Sequence, residues 1–430
     1  MSDSLKIGIA GLGTVGAGVV KILAGNSSTL AKKAGKKLQI VAVSARDKKK
    51  KRGIKLAGIK WHDSALALAK DPEIDVIVEL IGGDKGVAYE LCKTALKSGK
   101  HVVTANKALI AARGMELAEL AEKNKVALLF EASVAGGIPI IKALKEGLAA
   151  NNIKRVTGIL NGTSNFILSA MADEGRPFDK VLREAQKLGY AESDPSFDIN
   201  GKDAAHKLAI LTALAHGCRI NSEAIYTEGI NNVSPDDIAY ANELGFTIRP
   251  LSISRMSANG IEQRVHPSLV RKTEPIASVN GVLGAVLVEC DQLGPAFFTG
   301  AGAGQGPTAS AVVADIIDIA SERYSLPFGV AVSKLAEAKF SGIENHKGSY
   351  YVRLNVKDKP GVLASITAAF SKQDIGVEAV LQKANTRNKT AQIALTTHHT
   401  NEKSIRKVLK NISEMEYVVE TPHMIRIEEF

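Results

Sequence analysis

The feature that most restricts the fold stands at the front of the chain. Residues 5–10 (LKIGIA) have strand character and run into Gly11-Leu12-Gly13-Thr14-Val15-Gly16, which opens a helical pattern lasting through residue 24. A G-x-G-x-x-G turn between a strand and a helix needs glycine where a side chain would block the tight reversal or a closely approaching ligand. The helix start after that turn offers unpaired N–H groups, which favour a phosphate. In this context Gly11, Gly13, Thr14, Val15 and Gly16 read as the cradle of a dinucleotide pyrophosphate. The motif alone is common; its place between a strand and a helix makes it informative.

The same alternation continues. Residues 38–44, 75–80, 101–104 and 126–130 have strand character, and residues 85–97 and 111–123 read as helices between them. This pattern predicts an α/β, Rossmann-type doubly wound parallel sheet with helices on both faces. Ligands bind at the carboxyl ends of such strands, so Ile81-Gly82-Gly83 and Thr104-Ala105-Asn106-Lys107 should face a cofactor. A lone loop lysine is ordinarily just solvated, and only topology argues otherwise for Lys107. After the second strand comes Ser44-Ala45-Arg46, where an NAD-specific domain places a carboxylate for the ribose 2′-hydroxyl. Arg46 suits a 2′-phosphate, so NADP(H) is favoured; the adjacent Asp47 keeps NAD(H) open.

At 430 residues the chain should form two or three domains. Its start has no signal-peptide layout, no apolar run is long enough to cross a bilayer, and its three cysteines are far apart. That usage suits reduced thiols in a cytoplasmic protein. The formal charge of +10 owes much to residues 48–52, a run without interleaved aromatics. It reads as a solvated loop, not a nucleic-acid surface.

Chemistry should concentrate in residues 185–214, where Glu192, Asp194, Asp198 and Asp203 follow Glu184 around a Pro-containing loop. Asn200-Gly201 breaks the chain before a helix with Leu208, Leu211 and Ala215 on an apolar stripe. Asp203 and Lys207 are four apart and share a face with Ile210 and Leu214. That is a surface ion pair or an unusual, half-buried one.

The strings ILNGTSNFILSAM, GYAESDPSFDINGKDAAHKLAIL and GAGAGQGPTASAVVADI are together similar to homoserine dehydrogenases, and the resemblance extends over nearly the whole chain. It implies reversible reduction of L-aspartate 4-semialdehyde to L-homoserine, on the route to threonine, methionine and isoleucine. Lys207 would be general acid or base, Asp203 its orienting partner, and Lys107 a second cation on the same oxygen. Glu192 and Asp198 would hold the substrate ammonium, and the polar turn with Thr163 would address substrate or nicotinamide. Gly304, in the flexible loop before a helix at about 309–321, would lie against the cofactor. The turn from Glu131 to Pro139 resembles a site for a monovalent cation such as Na⁺, formed by Glu131 with carbonyls of Val134, Gly136 and Ile138.

These readings divide the chain into a nucleotide domain at 1–135, completed by a helix near 307–325, and an α+β substrate and dimerisation domain at 136–306. A polar, Gly-containing linker is expected at 339–349. Residues 350–430 have a β-α-β-β-α-β order, which is ferredoxin-like, and DKPGVLASITAAFSKQDIGVEAV resembles an ACT domain, an amino-acid sensor. L-threonine is the effector this implies, at Asp358, Gly361 and Val362, in a homodimer or homotetramer. Truncation near Gly348 should then leave an active dehydrogenase. Two rival classes are an acylating semialdehyde dehydrogenase, which needs a nucleophilic cysteine, and a non-catalytic sensor. Cys92, Cys218 and Cys290 have no suitable setting for the first, and Glu192, Asp203 and Lys207 argue against the second. His398-His399 lacks further ligands at metal-binding spacing.

Overall fold

The computed structural model describes residues 3–385 and 389–430. Its first unit is an all-parallel sheet in the order Lys60–Trp61, Lys37–Ser44, Ser4–Ala10, Val76–Glu79, His101–Thr104, Leu128–Leu129. This is the order of a doubly wound dinucleotide fold, as the alternation of strands and helices predicts. Every residue of Val76–Glu79 is buried, including the carboxylate that ends it. The helix after His101–Thr104 begins earlier than its apolar periodicity suggests and runs Lys107–Asn124. Asn106 caps it, its side-chain oxygen accepting the Leu109 N–H at 3.1 Å. Lys107 is therefore the first residue of a helix, not part of a loop.

Gln305–Ala320 returns to this unit and packs on Thr14–Gly25. The contact is close enough that a Cβ on Gly18 would lie 2.9 Å from that of Ala309. Ala309, Val312 and Ile316 share a core with Val19 and Leu23.

The second sheet is mostly antiparallel. It begins with Pro295–Ala301, Leu283–Cys290, Ile153–Ile159, Phe246–Ser257 and Gly260–Arg271. The strand Gly260–Arg271 escapes sequence reading because its buried positions include Glu262, Gln263, Arg264, His266 and Ser268. It also contains Pro267, opposite Pro250, a residue that normally argues against an interior strand.

The C-terminal residues form the expected order: Lys347–Lys357, Val362–Ser371, Val377–Asn385, Thr390–Thr397, Glu402–Ser413 and His423–Glu428. Their sheet is continuous with the one before it. His423–Glu428 pairs in parallel with Gly260–Arg271, Ser268 facing Arg426 and Leu269 facing Ile427. The stretch at 339–349 is not a free linker, since Phe340–Ser341 pairs with Ile261 and Glu262. Tyr351, Ile425 and Ile427 share an apolar cluster with Phe246, Ile248 and Leu269. The C-terminal domain therefore shares a core with the domain before it, and truncation near Gly348 would uncover that cluster. Among the described residues no helix is long and apolar enough to cross a membrane.

An ion cluster closes the junction. Glu428, 4% exposed, accepts from Arg264 Nη2 at 2.9 Å and Arg155 Nη2 at 2.8 Å. Burial alone would raise its carboxyl, but the two guanidinium groups outweigh burial and hold it at about 2. Glu428→Ala should cost about 3–5 kcal/mol in urea unfolding at neutral pH, because buried Arg264 and Arg155 lose their shared partner and Arg264 keeps only the longer contact to Glu262 at 3.8 Å. The wild-type contribution is fully present above the ordinary value of 4.5 and is lost as pH falls toward about 2. Glu428→Ala should therefore flatten the acid limb of the stability profile.

Candidate active site

The carboxyl edge of the parallel sheet has the shape of a nucleotide cradle. Gly11 has φ +99°, and a Cβ there would lie 2.4 Å from the Leu80 carbonyl oxygen. A Cβ on Gly16 would lie 2.1 Å from the Gly11 oxygen, whereas nothing lies within 4 Å of one on Gly13. Gly11 and Gly16 close the turn, and Gly13 leaves its backbone open to a ligand. Thr14–Gly25 has no side-chain cap and no acidic residue in its first turn, so its N-terminal amides remain available to a phosphate. Gly304 has φ +120° and begins Gln305–Ala320, whose Gln305 Nε2 donates to the Thr14 carbonyl at 3.0 Å.

At the end of the second strand Arg46 is exposed. The neighbouring Asp47 carboxylate accepts the backbone amides of Lys49 and Lys50 at 2.8 and 3.2 Å. It is thus engaged with its own loop. The basic run is only partly the solvated loop expected, since Arg52 Nε donates to the Leu12 carbonyl at 3.1 Å within the glycine turn.

Opposite this edge the substrate domain presents Lys202–His216, which starts after Gly201 in a left-handed conformation. Asp203 is 4% exposed and is flanked by two ammonium groups: Lys107 Nζ at 2.8 Å from Oδ1, and Lys207 Nζ at 2.7 Å from Oδ2. Burial would raise the Asp203 carboxyl, but the Lys207 and Lys107 charges prevail and hold it well below the usual range. Lys207 Nζ also donates to the Leu160 carbonyl at 2.7 Å. An ammonium group has three donors, so one N–H of Lys207 is left for a ligand.

Sequence reading places Asn161 in the polar turn expected to address substrate or nicotinamide, without linking it to the carboxylates. Its Nδ2 donates to Asp198 Oδ1 at 2.8 Å and to Asp203 Oδ2 at 2.9 Å. Its oxygen caps Gly162–Glu174 by accepting the Ser164 N–H at 2.8 Å. Its place in a polar turn at a strand end, before a helix it can cap, was the sequence signal for it. The Asp198 carboxyl is raised by burial, with Asp203 adding to the rise and Asn161 opposing it.

The other named residues lie around this centre in different settings. Glu192 is exposed, and its carboxylate makes no hydrogen bond or ion pair among the described residues. Asp194 bonds the Ser196 amide, and Glu184 pairs with Arg176, so neither joins the cluster. Thr163 is buried and its hydroxyl donates to the Tyr190 carbonyl at 2.6 Å, tying the loop to the helix. Glu131 is buried, and its two oxygens accept the Ile141 and Lys142 amides at 2.9 and 2.8 Å. Burial, reinforced by Asp315, pushes its carboxyl up to about 7. Ala135 and Gly136, both at positive φ, reverse the chain beside it.

The turn holding Asp358, Gly361 and Val362 borders a cavity of about 400 Å³, far along the second sheet. All three cysteines are buried. Burial raises the Cys92 thiol strongly, brings Cys218 up to about 11 and raises Cys290 as well. None offers the ready thiolate an acylating dehydrogenase requires.

Comparison with known proteins agrees with this geometry. Residues 139–317 match the family model for homoserine dehydrogenase, residues 11–131 that for its NAD-binding domain, and residues 350–416 that for the ACT domain. A homoserine dehydrogenase of Neisseria gonorrhoeae is 44% identical, over 99% of this chain and 98% of its own. One from Helicobacter pylori is 44% identical over the full length of both. The crystal structure of a homoserine dehydrogenase from Thiobacillus denitrificans superposes with a TM-score of 0.94 at 44% identity, over 99% of this chain and 98% of that one. A hyperthermophilic archaeal homoserine dehydrogenase in complex with NADPH gives 0.65 at 29% identity, over 75% of this chain and 99% of its own.

Asn161→Ala should lower kcat/KM roughly tenfold, the size of one hydrogen bond to a charged group. It should also move the acid limb of the kcat/KM profile to higher pH, because Asp198 loses the donor that opposes its upward shift. A tenfold loss with an unmoved profile would show that Asn161 acts through Asp203 or its cap and not through Asp198.

Proposed function

This chain belongs to the homoserine dehydrogenase family, and from that premise we propose how its residues divide the reduction of L-aspartate 4-semialdehyde to L-homoserine. The observation that supports the reading is the Lys107–Asp203–Lys207 bridge, which brings groups from both domains to one point. A bound nicotinamide cofactor supplies the hydride. Gly11, Gly13, Thr14, Val15 and Gly16 would hold its pyrophosphate, with Gly304 closing over it. Arg46 would take the 2′-phosphate of NADP(H), in keeping with Asp47 being engaged by its own loop.

Lys207 gives its remaining proton to the aldehyde oxygen in reduction and recovers it in oxidation, while Asp203 fixes its orientation. Lys107, with donors to spare beyond Asp203, holds the same oxygen. Glu192, exposed and uncommitted, and Asp198 hold the substrate ammonium. A monovalent cation such as Na⁺ at Glu131, with carbonyls of Val134, Gly136 and Ile138, fits a buried carboxyl that burial otherwise raises. Its role would be to stiffen the turn between the domains.

Regulation by L-threonine is the reading for the cavity bounded by Asp358, Gly361 and Val362. Gly361 has φ +88°, and Val362–Ser371 begins without a side-chain cap, so its amides suit an amino-acid carboxylate. The nearby edge strand Val377–Asn385 would pair with a second copy in a dimer or tetramer.

Lys207→Ala should lower kcat by a factor on the order of 10² to 10⁴ in homoserine oxidation, and near-normal turnover would remove it from the mechanism. Glu192→Ala should act mainly on the homoserine KM. Arg46→Asp should shift the ratio of kcat/KM values for NADP and NAD toward NAD. An unchanged ratio would assign the 2′-phosphate to the run at 48–52.

A further inference from the structure

Glu79 is completely buried, yet no lysine, arginine or histidine pairs with it among the described residues. All its partners are neutral donors at the cofactor edge, two amides on the loop after its own strand and the hydroxyl that ends the neighbouring strand His101–Thr104. Oε1 accepts the Ile81 and Gly82 amides at 2.7 and 3.0 Å, and Oε2 accepts the Thr104 hydroxyl at 2.6 Å. Thr104 Oγ1 in turn accepts the Asn106 amide at 3.0 Å. Asn106 Nδ2 donates to the Gly83 carbonyl at 2.7 Å, which returns the chain of bonds to the first loop and closes a ring. Asn106 also caps the helix whose first residue is Lys107.

An isolated buried carboxylate is expensive, and an apolar residue ending Val76–Glu79 would cost the fold less. Only an acceptor-only group with two oxygens can take three donors at once. Thr104 Oγ1 receives the Asn106 amide and gives its own proton to Glu79. We propose that Glu79 is a positioning residue for the reaction, locking the loop at 81–83 to the helix start that aims Lys107 at Asp203. The inference rests on the assigned role of Lys107.

The test uses the full-length enzyme in steady-state homoserine oxidation. Glu79→Gln keeps one oxygen for the loop amides but cannot accept the Thr104 proton. It should lower kcat about tenfold, the value of one charged hydrogen bond, with the homoserine KM within about twofold of wild type. Thr104→Val should cause the same loss without touching the carboxylate, and Thr104→Ser should restore turnover. In a Lys107→Ala background Glu79→Gln should cost less than about twofold, because the group it aims is gone. Wild-type kcat in both Glu79→Gln and Thr104→Val, or a full tenfold loss in the Lys107→Ala background, would overturn the proposal. If Glu79→Gln does not fold, the Thr104 pair decides. Normal turnover in Lys107→Ala alone would instead overturn the assignment of Lys107, a separable result.

Discussion

The candidate site depends on Asp203. One buried carboxylate is shared by Lys107, from the nucleotide domain, and Lys207, from its own helix, with the Asn161 amide on the same oxygen as Lys207. A charge at 4% exposure is tolerated only when its neighbours offset the lost hydration. Two cations and an amide do so here, and the Lys107 contact forms only when the two domains meet. The fold on each side serves that meeting. The parallel sheet ends at the helix that begins with Lys107, and Gly201 allows the turn that starts the helix carrying both Asp203 and Lys207.

The C-terminal domain is built into the same structure. Its last strand extends the sheet of the substrate domain, and Arg426 joins Glu402 of its own domain to Glu228 at 3.0 Å. The segment after Glu228 lies against the chain that carries Asp198. The Ile230 amide donates to the Ile199 carbonyl at 3.0 Å, and a Cβ on Gly229 would lie 2.6 Å from that oxygen. Ile199 is next to Asp198. The C-terminal sheet is thus linked to Asp198 by a short run of packed and hydrogen-bonded residues.

The nucleotide half was legible because its signals are local. Apolar runs, glycine spacing and alternating periods are all contained within a few tens of residues. The strand Gly260–Arg271 was not, because its buried side chains are polar and their partners, such as Glu428, lie far away in sequence. The acidic loop misled in the opposite way. Five carboxylates at 184–203 look like one cluster, but only Asp198 and Asp203 converge, through an asparagine nearly forty residues earlier. Lys107 looked like a loop residue because it directly follows the polar turn after His101–Thr104, whereas the structure starts the helix Lys107–Asn124 at that residue. Its ion pair with Asp203 joins two domains, and no local pattern encodes such a contact.

The shared carboxylate is tested most directly by a double-mutant cycle on kcat with Lys107→Ala, Asp203→Asn and the pair. If Asp203 binds both lysines into one device, removing either end breaks it. The double mutant should then be little worse than the poorer single mutant, with a coupling on the order of 0.5–3 kcal/mol. Losses that simply add would show that Lys107 and Asp203 act independently, and that the bridge between the domains is not what positions the proton donor.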